Sequence, residues 1–396
     1  MISFDAALAK VVQAAGLLGT ERVALSDAHG RVLAETVRAK TPLPPHDYSA
    51  MDGYAVNTAD FGGPLPVTLP VRGESRTGRV APRFERGSAC RIYTGAPIPD
   101  GADAIVMQED TTRTGDVLAV QTTPTAGEHV RRRGEDLPEN AVALETGTRL
   151  GAIQLGLLAA VDRASVDVAR RPRVTVMATG DELRPPGSEP RPASIPESNG
   201  VAIAALAREA GADVVVSAPA KDDPEETRAR IRAALDASDV LVTIGGVSVG
   251  DHDVVRPALE AAGVTLEFHK VAIKPGKPLT LGRRGETHVL GLPGNPVSAQ
   301  VTFLLFGLPL LRALQGARDV LPIARRVRLS APIRQKTGRR GFYAATLAGD
   351  VATPLRGQSS GATTILAWAD ALVVVPEDSE GLAAGDVADA HLLRGS

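Results

Sequence analysis

Between residues 173 and 314 a short apolar run passes three times into a glycine-rich loop, and this alternation constrains the fold more than any other feature of the chain. Runs at 174–178, 214–218, 240–244 and 289–292 are rich in β-branched residues, as strands buried on both faces are. Segments 201–210, 225–234 and 297–314 carry apolar residues at helical spacing. Strands alternating with helices predict a largely parallel sheet covered on both faces. Loops at the carboxyl ends of such strands gather on one edge, where ligands of open α/β sheets bind.

The middle loop lies in DVLVTIGGVSVGDHD, residues 239–253. Gly245 and Gly246 let a ligand approach the main chain, Ser248 adds a hydroxyl and Gly250 a further flexible point. Asp251 or Asp253 can cap the helical pattern at 254–262. The first loop, TGDEL at 179–183, holds Gly180 and Glu182. The third, GLPGNPVS at 291–298, offers Gly294, Asn295 and Pro296 at a helix start, where backbone amides are free for an anion. Taken singly, each loop is equally a tight turn or a cap; their repetition favours a phosphate-bearing ligand. Asp222, in KDDP at 221–224, is either a further carboxylate on the same edge or a helix cap before Pro224. Glu182, Asp222 and Asp253 on one edge either repel or share a hard cation such as Mg2+, which favours carboxylate and phosphate oxygens. In IKPGKP at 273–278, two prolines and a glycine hold Lys274 and Lys277 extended; alone this is a surface turn, but beside the loops it suits a dianion.

Composition narrows the function classes. At 396 residues several domains are expected, and 43% hydrophobic with 23% charged residues is the balance of a soluble globular chain. A net charge of -2 gives no global attraction to nucleic acid or anionic membrane, so any anion site must be local. The single Cys90 forms no intrachain disulfide, and no CxxC or Cys/His cluster suggests zinc or redox chemistry, which fits a cytoplasmic chain. Residues 1–13 lack a signal-peptide core, and the most apolar run, 301–314, is interrupted and short of a membrane span, so no transmembrane segment is expected. No GxxxxGK[ST] motif supports a P-loop, and no His or Ser triad pattern supports acyl transfer.

In chain order, Ser3 can cap a helix with Phe4, Ala7, Leu8, Val11, Val12 and Ala15 on one face. A helical or extended piece at 23–39 leads into TPLPP, 41–45, a stiff segment that marks a domain crossing. After it comes SAMDGYA, 49–55, which alone reads as an Asp-Gly turn carrying Asp52. Short β-like runs follow at 67–71, 89–93, 104–107 and 117–121. Thr94 lies in IYTGAPIP, 92–99, and Arg131 to Arg133 form a basic triplet before Gly134, a pattern most often a solvated face. A helix is expected at 152–161, and the tail returns to short β runs at 327–329, 342–347 and 372–375, a small barrel or sandwich.

SAMDGYA, the threonine-glycine-alanine-proline loop, TGDEL, GGVSVGDHD and GLPGNPVS, in that order, resemble the signatures of the MoeA family of molybdopterin molybdenumtransferases, found also as the E domains of plant Cnx and animal gephyrin. KTGR at 336–339 and QSSG at 358–361 resemble its C-terminal motifs. The chain departs from the family at Tyr48, where Asn is usual, at Gly341, where an acid is usual, and at Ala344, where Arg is usual. The resemblance implies a multidomain α/β and β chain: a discontinuous helical N-terminal domain at 1–46 and 138–171, a β-rich inserted domain at 47–137, a central MogA-like parallel-sheet α/β domain at 172–318, and a C-terminal β-barrel-like domain at 319–396.

The resemblance also implies the reaction: molybdate-dependent cleavage of adenylated molybdopterin, leaving molybdenum on the dithiolene and releasing AMP. Glu182, Asp222 and Asp253, with Asp52 and Thr94 from the neighbouring subunit of a homodimer, are then expected to position Mg2+ and the scissile phosphate. Gly180, Gly245, Gly246, Ser248, Gly294, Asn295 and Pro296 would bind the substrate, and Lys274, Lys277, Ser298, Arg339 and Ser360 the molybdate. Molybdopterin adenylyltransferase and the molybdoenzymes are the implied partners, with no role for nucleic acid or membrane. A non-enzymatic carrier or scaffold is one alternative, and the preceding adenylylation step, which consumes ATP, is the other. Asp253→Ala is expected to abolish AMP release and leave the fold intact; retained turnover or loss of the folded state contradicts a catalytic Asp253.

Overall fold

The computed structural model describes residues 1–220, 223–246 and 254–393. At its centre is a six-stranded sheet in the order Asp213–Val216, Arg173–Ala178, Val240–Ile244, Thr287–Leu292, Thr280–Arg284, Thr265–Phe268. The first four strands run parallel and the last two fold back antiparallel. Alternate side chains serve opposite faces. Val240, Val242 and Ile244 face one core with Ile203, Ala207 and Leu310. Leu241 and Met177 face the other with Ile231, Leu235 and Leu259. Helices Asn199–Glu209 and 296–314 therefore cover one side, and Pro224–Ala237 and Val255–Ala261 the other, as the strand-helix alternation requires. The antiparallel pair was not expected from sequence, because Thr280–Arg284 ends in two arginines and Thr265–Phe268 buries only Phe268 fully.

The helix that starts at Pro296 continues through a π-helical turn, Phe303–Gly307, into Leu308–Leu314. Gly307 is needed at that turn, since a Cβ there would lie 2.4 Å from the Phe303 ring. With 19 residues and a mean hydropathy of 1.6 it is long and apolar enough to cross a membrane, yet 72% of it is buried inside the protein. The helix is longer than the apolar run in the sequence, and its burial against the sheet accounts for its composition.

The C-terminal strands close into a five-stranded barrel. Arg340–Ala348 pairs with Val351–Pro354 and Ala371–Val375, while Ala324–Leu329 pairs with Val351–Pro354 and Val387–Leu392, which returns to Ala371–Val375. Val327, Leu329, Ala345, Ala352, Val373 and Ala390 fill its interior. The inserted β-domain is a six-stranded sheet in the order Ala104–Met107, Gly53–Val56, Ala89–Ile92, Val67–Ser75, Val117–Val120, Thr111–Thr114. Within SAMDGYA the chain is therefore already in a buried strand at Gly53–Val56, where a Cβ on Gly53 would lie 2.0 Å from the Val106 carbonyl oxygen.

Segments on either side of that insertion pair with each other. Thr20–Ala24 lies antiparallel to Ser165–Ala169 and Val37–Arg38 to Val142–Leu144, and Leu33, Val37, Leu150, Leu158 and Val168 make a common core with helix Ala152–Ala160. The first helix, Phe4–Ala14, capped by the Ser3 hydroxyl, instead buries Phe4, Ala7 and Val11 in the core around the 296–314 helix.

Two titratable groups sit at the amino ends of neighbouring central strands. Burial raises the Asp239 carboxyl, but hydrogen bonds from Arg173 and Arg170 outweigh it and bring it down to about 2. His288, 2% exposed, is pushed down to about 4 by burial and the Arg283 charge, and its Nδ1 has no partner among the described residues. The folded state therefore holds His288 neutral while the unfolded chain protonates near 6.5, so stability falls as pH drops from about 6.5 towards 4, by at most ~3 kcal/mol. Urea midpoints for His288→Leu should fall less steeply than those of the native chain between pH 7 and pH 4.5. Parallel pH profiles for the two proteins would contradict a buried neutral imidazole.

Candidate active site

Three loops meet backbone to backbone at the carboxyl edge of the central sheet. The Thr179 amide donates to the Ile244 carbonyl (3.0 Å), Gly180 to Ala220 (3.2 Å) and Gly245 to Leu292 (3.1 Å). Glycine is required where the loops touch. At Gly245 (φ +85°) a Cβ would stand 2.9 Å from the Thr179 carbonyl oxygen, and at Gly246 (φ +61°) 2.4 Å from Val255 Cγ2. On Gly294 it would lie 3.6 Å from the Gly245 Cα. Asn199, almost fully buried, donates its amide to the Gly294 carbonyl at 2.8 Å and ties the third loop to the helix that follows the first. Its position in an unremarkable SNG triplet gave no sign of this in the sequence.

Glu182 folds back over Gly180 (φ +149°), its Oε1 2.7 Å from where a Cβ on that glycine would stand. The carboxylate is thus held against its own loop, and its oxygens are hard donors of the kind Mg2+ prefers. Asp222, Asp253 and Ser248 lie outside the described residues. Among the described residues no three His, Cys, Asp or Glu side chains gather as metal ligands.

Beside this edge is a cavity of about 400 Å³ between the IKPGKP turn, the start of the 296–314 helix and the barrel. Lys274, Lys277, Ser298, Arg339 and Ser360, the five residues read as oxyanion ligands, all line it. Each is brought there by a definite constraint. Ile273–Lys274 pairs in parallel with Arg340–Gly341 of the barrel, which sets Lys274 beside the KTGR turn. Gly276 (φ +105°) lets the turn lie on the helix, since a Cβ there would be 2.3 Å from Thr302 Cγ2. The Val297 amide donates to the Ser360 carbonyl and the Asn295 side-chain amide to the Ser360 hydroxyl, both at 3.0 Å. Asn295 therefore belongs to both places, carried on the loop that contacts Gly245 and bonded to the cavity wall.

Among the described residues no acidic side chain lines the cavity. Among the described residues Lys274, Lys277 and Arg339 enter no ion pair, whereas the adjacent Arg340 pairs with both Asp5 and Glu377. Three cations without an acidic partner among the described residues, beside the Ser298 and Ser360 hydroxyls, have the chemistry to attract an anion. Most of the remaining wall is apolar, with Val301, Phe342, Ala344, Ile365 and Leu372, and Gln358 and Ser359 add polar groups to it. Tyr343 also lines the cavity and was not singled out from the sequence.

Asp52 and Thr94 come together elsewhere, on the inserted β-domain. Asp52 Oδ1 accepts hydrogen bonds from the Thr94 amide (2.7 Å) and hydroxyl (2.8 Å), which hold its carboxyl below the usual range. Next to them Arg91 stacks between the rings of Tyr54 and Tyr93 and donates to the Gly53 carbonyl at 3.0 Å. Their hydrogen bonds stay within that domain. The basic triplet is consumed internally: Arg131 pairs with Asp136, Arg132 with Asp47 and Arg133 with Glu139.

Comparison with known proteins agrees along the chain. Residues 2–161 match the family model of the MoeA N-terminal region (domain I and II), 175–313 that of a probable molybdopterin binding domain, and 326–393 that of the MoeA C-terminal region (domain IV). The sequence is 40% identical over 376 residues to molybdopterin molybdenumtransferase 2 of Mycobacterium tuberculosis, covering 92% of each chain. It is 34% identical over 395 residues to the molybdopterin molybdenumtransferase of Haemophilus influenzae, covering 98% of this chain and 97% of that one. The crystal structure of the molybdopterin biosynthesis MoeA protein from Pyrococcus horikoshii superposes with a TM-score of 0.87 at 29% identity, covering 99% of this chain and 100% of that one. With its central α/β sheet, its closed C-terminal barrel and these relatives along nearly its whole length, the chain belongs to the MoeA family of molybdopterin molybdenumtransferases.

Proposed function

We propose that the protein transfers molybdenum from molybdate to adenylated molybdopterin in a Mg2+-dependent reaction that releases AMP. The observation that carries this reading is the cavity: Lys274, Lys277 and Arg339 line one space with no acid on its wall among the described residues. A dianionic oxyanion there meets positive charge on a rigid turn and two hydroxyls, Ser298 and Ser360. The Ser360 oxygen already accepts a hydrogen from Asn295, which leaves its own proton to donate to a bound anion.

The phosphate-bearing substrate would lie across the adjoining sheet edge against Gly180, Gly245, Gly246 and Gly294, of which Gly294 is exposed, Gly245 and Gly246 are half-buried and Gly180 is buried beneath Glu182. Glu182, with Asp222 and Asp253, would hold Mg2+ through oxygen ligands. When bound, that cation offsets charge on the phosphoanhydride. Asn295 and Pro296 join the two places, so the anion and the phosphate are oriented by one loop. Asp52 and Thr94, bonded to each other on the inserted domain, would reach the site of a second copy in a homodimer. A cytoplasmic setting suits the reduced, buried Cys90, whose thiol burial pushes up to about 11. The adenylyltransferase that supplies the substrate and the molybdoenzymes that take the product are the expected partners.

Incubated with adenylated molybdopterin and Mg2+, the protein should release AMP only when molybdate is present, and Lys274→Gln should raise the molybdate needed for half-maximal release about tenfold. AMP release without molybdate, or none with it, contradicts the proposal. The dimer is tested by mixing: co-expressed Asp52→Asn and Asp253→Asn subunits, each inactive alone, should regain roughly a quarter of native activity if Asp52 acts across the dimer. No recovery would place Asp52 in its own subunit's site or outside the chemistry.

A further inference from the structure

Tyr343 stands at the junction of the barrel and the cavity, and its hydroxyl is the only side-chain hydrogen-bond partner of the Lys274 ammonium among the described residues, at 3.3 Å. The same ammonium lies 5.4 Å from the centre of the Tyr343 ring. On its other side the hydroxyl is 3.4 Å from both the Arg334 carbonyl and the Gln335 Oε1. A phenol so placed donates its proton to one of those oxygens and turns a lone pair towards the lysine. The ring is 7% exposed, so it is itself fixed by the barrel core.

Gly341 explains how the ring reaches that position. Residues 341 and 343 share one face of the strand. A Cβ on Gly341 would lie 2.4 Å from Tyr343 Cε2 and 2.2 Å from Gln335 Oε1, so the ring leans along the strand over a site where any side chain would collide. Gly341 is also the register partner of Lys274 in the parallel pairing. The missing side chain at 341 and the tyrosine at 343 are thus one packing arrangement, and its outcome is a phenol set against Lys274.

We propose that Tyr343 is a positioning residue: seated over Gly341, it holds the Lys274 ammonium in the cavity and so sets the affinity of this chain for the oxyanion. The inference rests on the cavity being the oxyanion site. A lysine side chain gives up about 2 kcal/mol of rotamer freedom when fixed, and a phenol that fixes it beforehand lowers the cost of anion binding. With Ala344 apolar, Lys274 is one of three cations, and no acids, that line the cavity among the described residues, so its placement matters more.

Molybdate binding to the protein alone, measured by calorimetry at constant ionic strength, tests this with Tyr343→Phe, Lys274→Gln, the double variant and Gly341→Ala. Tyr343→Phe, which keeps the ring and removes the hydroxyl, should weaken binding about tenfold with an unchanged unfolding midpoint, and should have no further effect in the Lys274→Gln background. Gly341→Ala, which displaces the ring, should weaken binding in the same sense. In turnover the Tyr343→Phe change should raise the molybdate half-saturation far more than it lowers the maximal rate. Native-like binding by Tyr343→Phe, or an equal loss with and without Lys274, overturns the positioning role while leaving the oxyanion site standing. Native-like binding by Lys274→Gln overturns the site itself, and the inference with it.

Discussion

Two residues of parallel strand, Ile273–Lys274 against Arg340–Gly341, join the central sheet to the barrel, and the functional geometry depends on that joint. It is reinforced on both sides. The Arg340 amide donates to the Ala272 carbonyl, and Ile2 brackets the same segment through hydrogen bonds with Lys270 and Ala272. Arg340 binds Asp5 with two hydrogen bonds (2.7 and 2.8 Å), binds Glu377 and lies over the Phe4 ring. Phe4 in turn packs on Phe306 of the long helix and Phe342 of the barrel, at 5.4 and 5.2 Å between ring centres. Burying aromatic surface of this kind contributes roughly 2 kcal/mol per ring. The first helix thus acts as a wedge between two domains, and the cavity is the space they enclose.

Charge is distributed to the same end. The net charge is only -2, and the conspicuous arginine clusters are neutralised locally: the triplet at 131–133 by Asp47, Asp136 and Glu139, and Arg170 with Arg173 by Asp239. The solvent-facing pairs of the triplet are each worth less than about 1 kcal/mol, whereas Asp239 is mostly buried, and both sets leave little free charge on the surface around them. Lys274, Lys277 and Arg339 differ in having no acid among the described residues beside them, in a partly apolar enclosure where a field is screened less than in water. A nearly neutral protein can therefore hold a strongly attractive site for one small dianion.

The parallel sheet and its loaded edge were legible in the sequence because continuous β-branched runs and glycine loops are local signals. The cavity's lysines were legible as a pair, since prolines around Lys274 and Lys277 imply a rigid turn, but their meeting with Arg339 and Ser360 depends on a pairing between segments some 65 residues apart. Strands Gly53–Val56 and Thr280–Arg284 were missed because tight backbone approach at Gly53 and Gly282, rather than apolar alternation, makes them strands. Tyr343 and Asn199 were missed for a related reason: each acts through one long-range hydrogen bond that no local pattern announces.

The claim on which the account stands is that the space between barrel and long helix is where the oxyanion binds. Anomalous diffraction from crystals soaked in molybdate tests it directly. The account predicts one strong molybdenum peak within hydrogen-bonding reach of Lys274, Lys277, Arg339, Ser298 and Ser360. A cavity left empty at saturating molybdate, or a peak elsewhere on the protein, would contradict it.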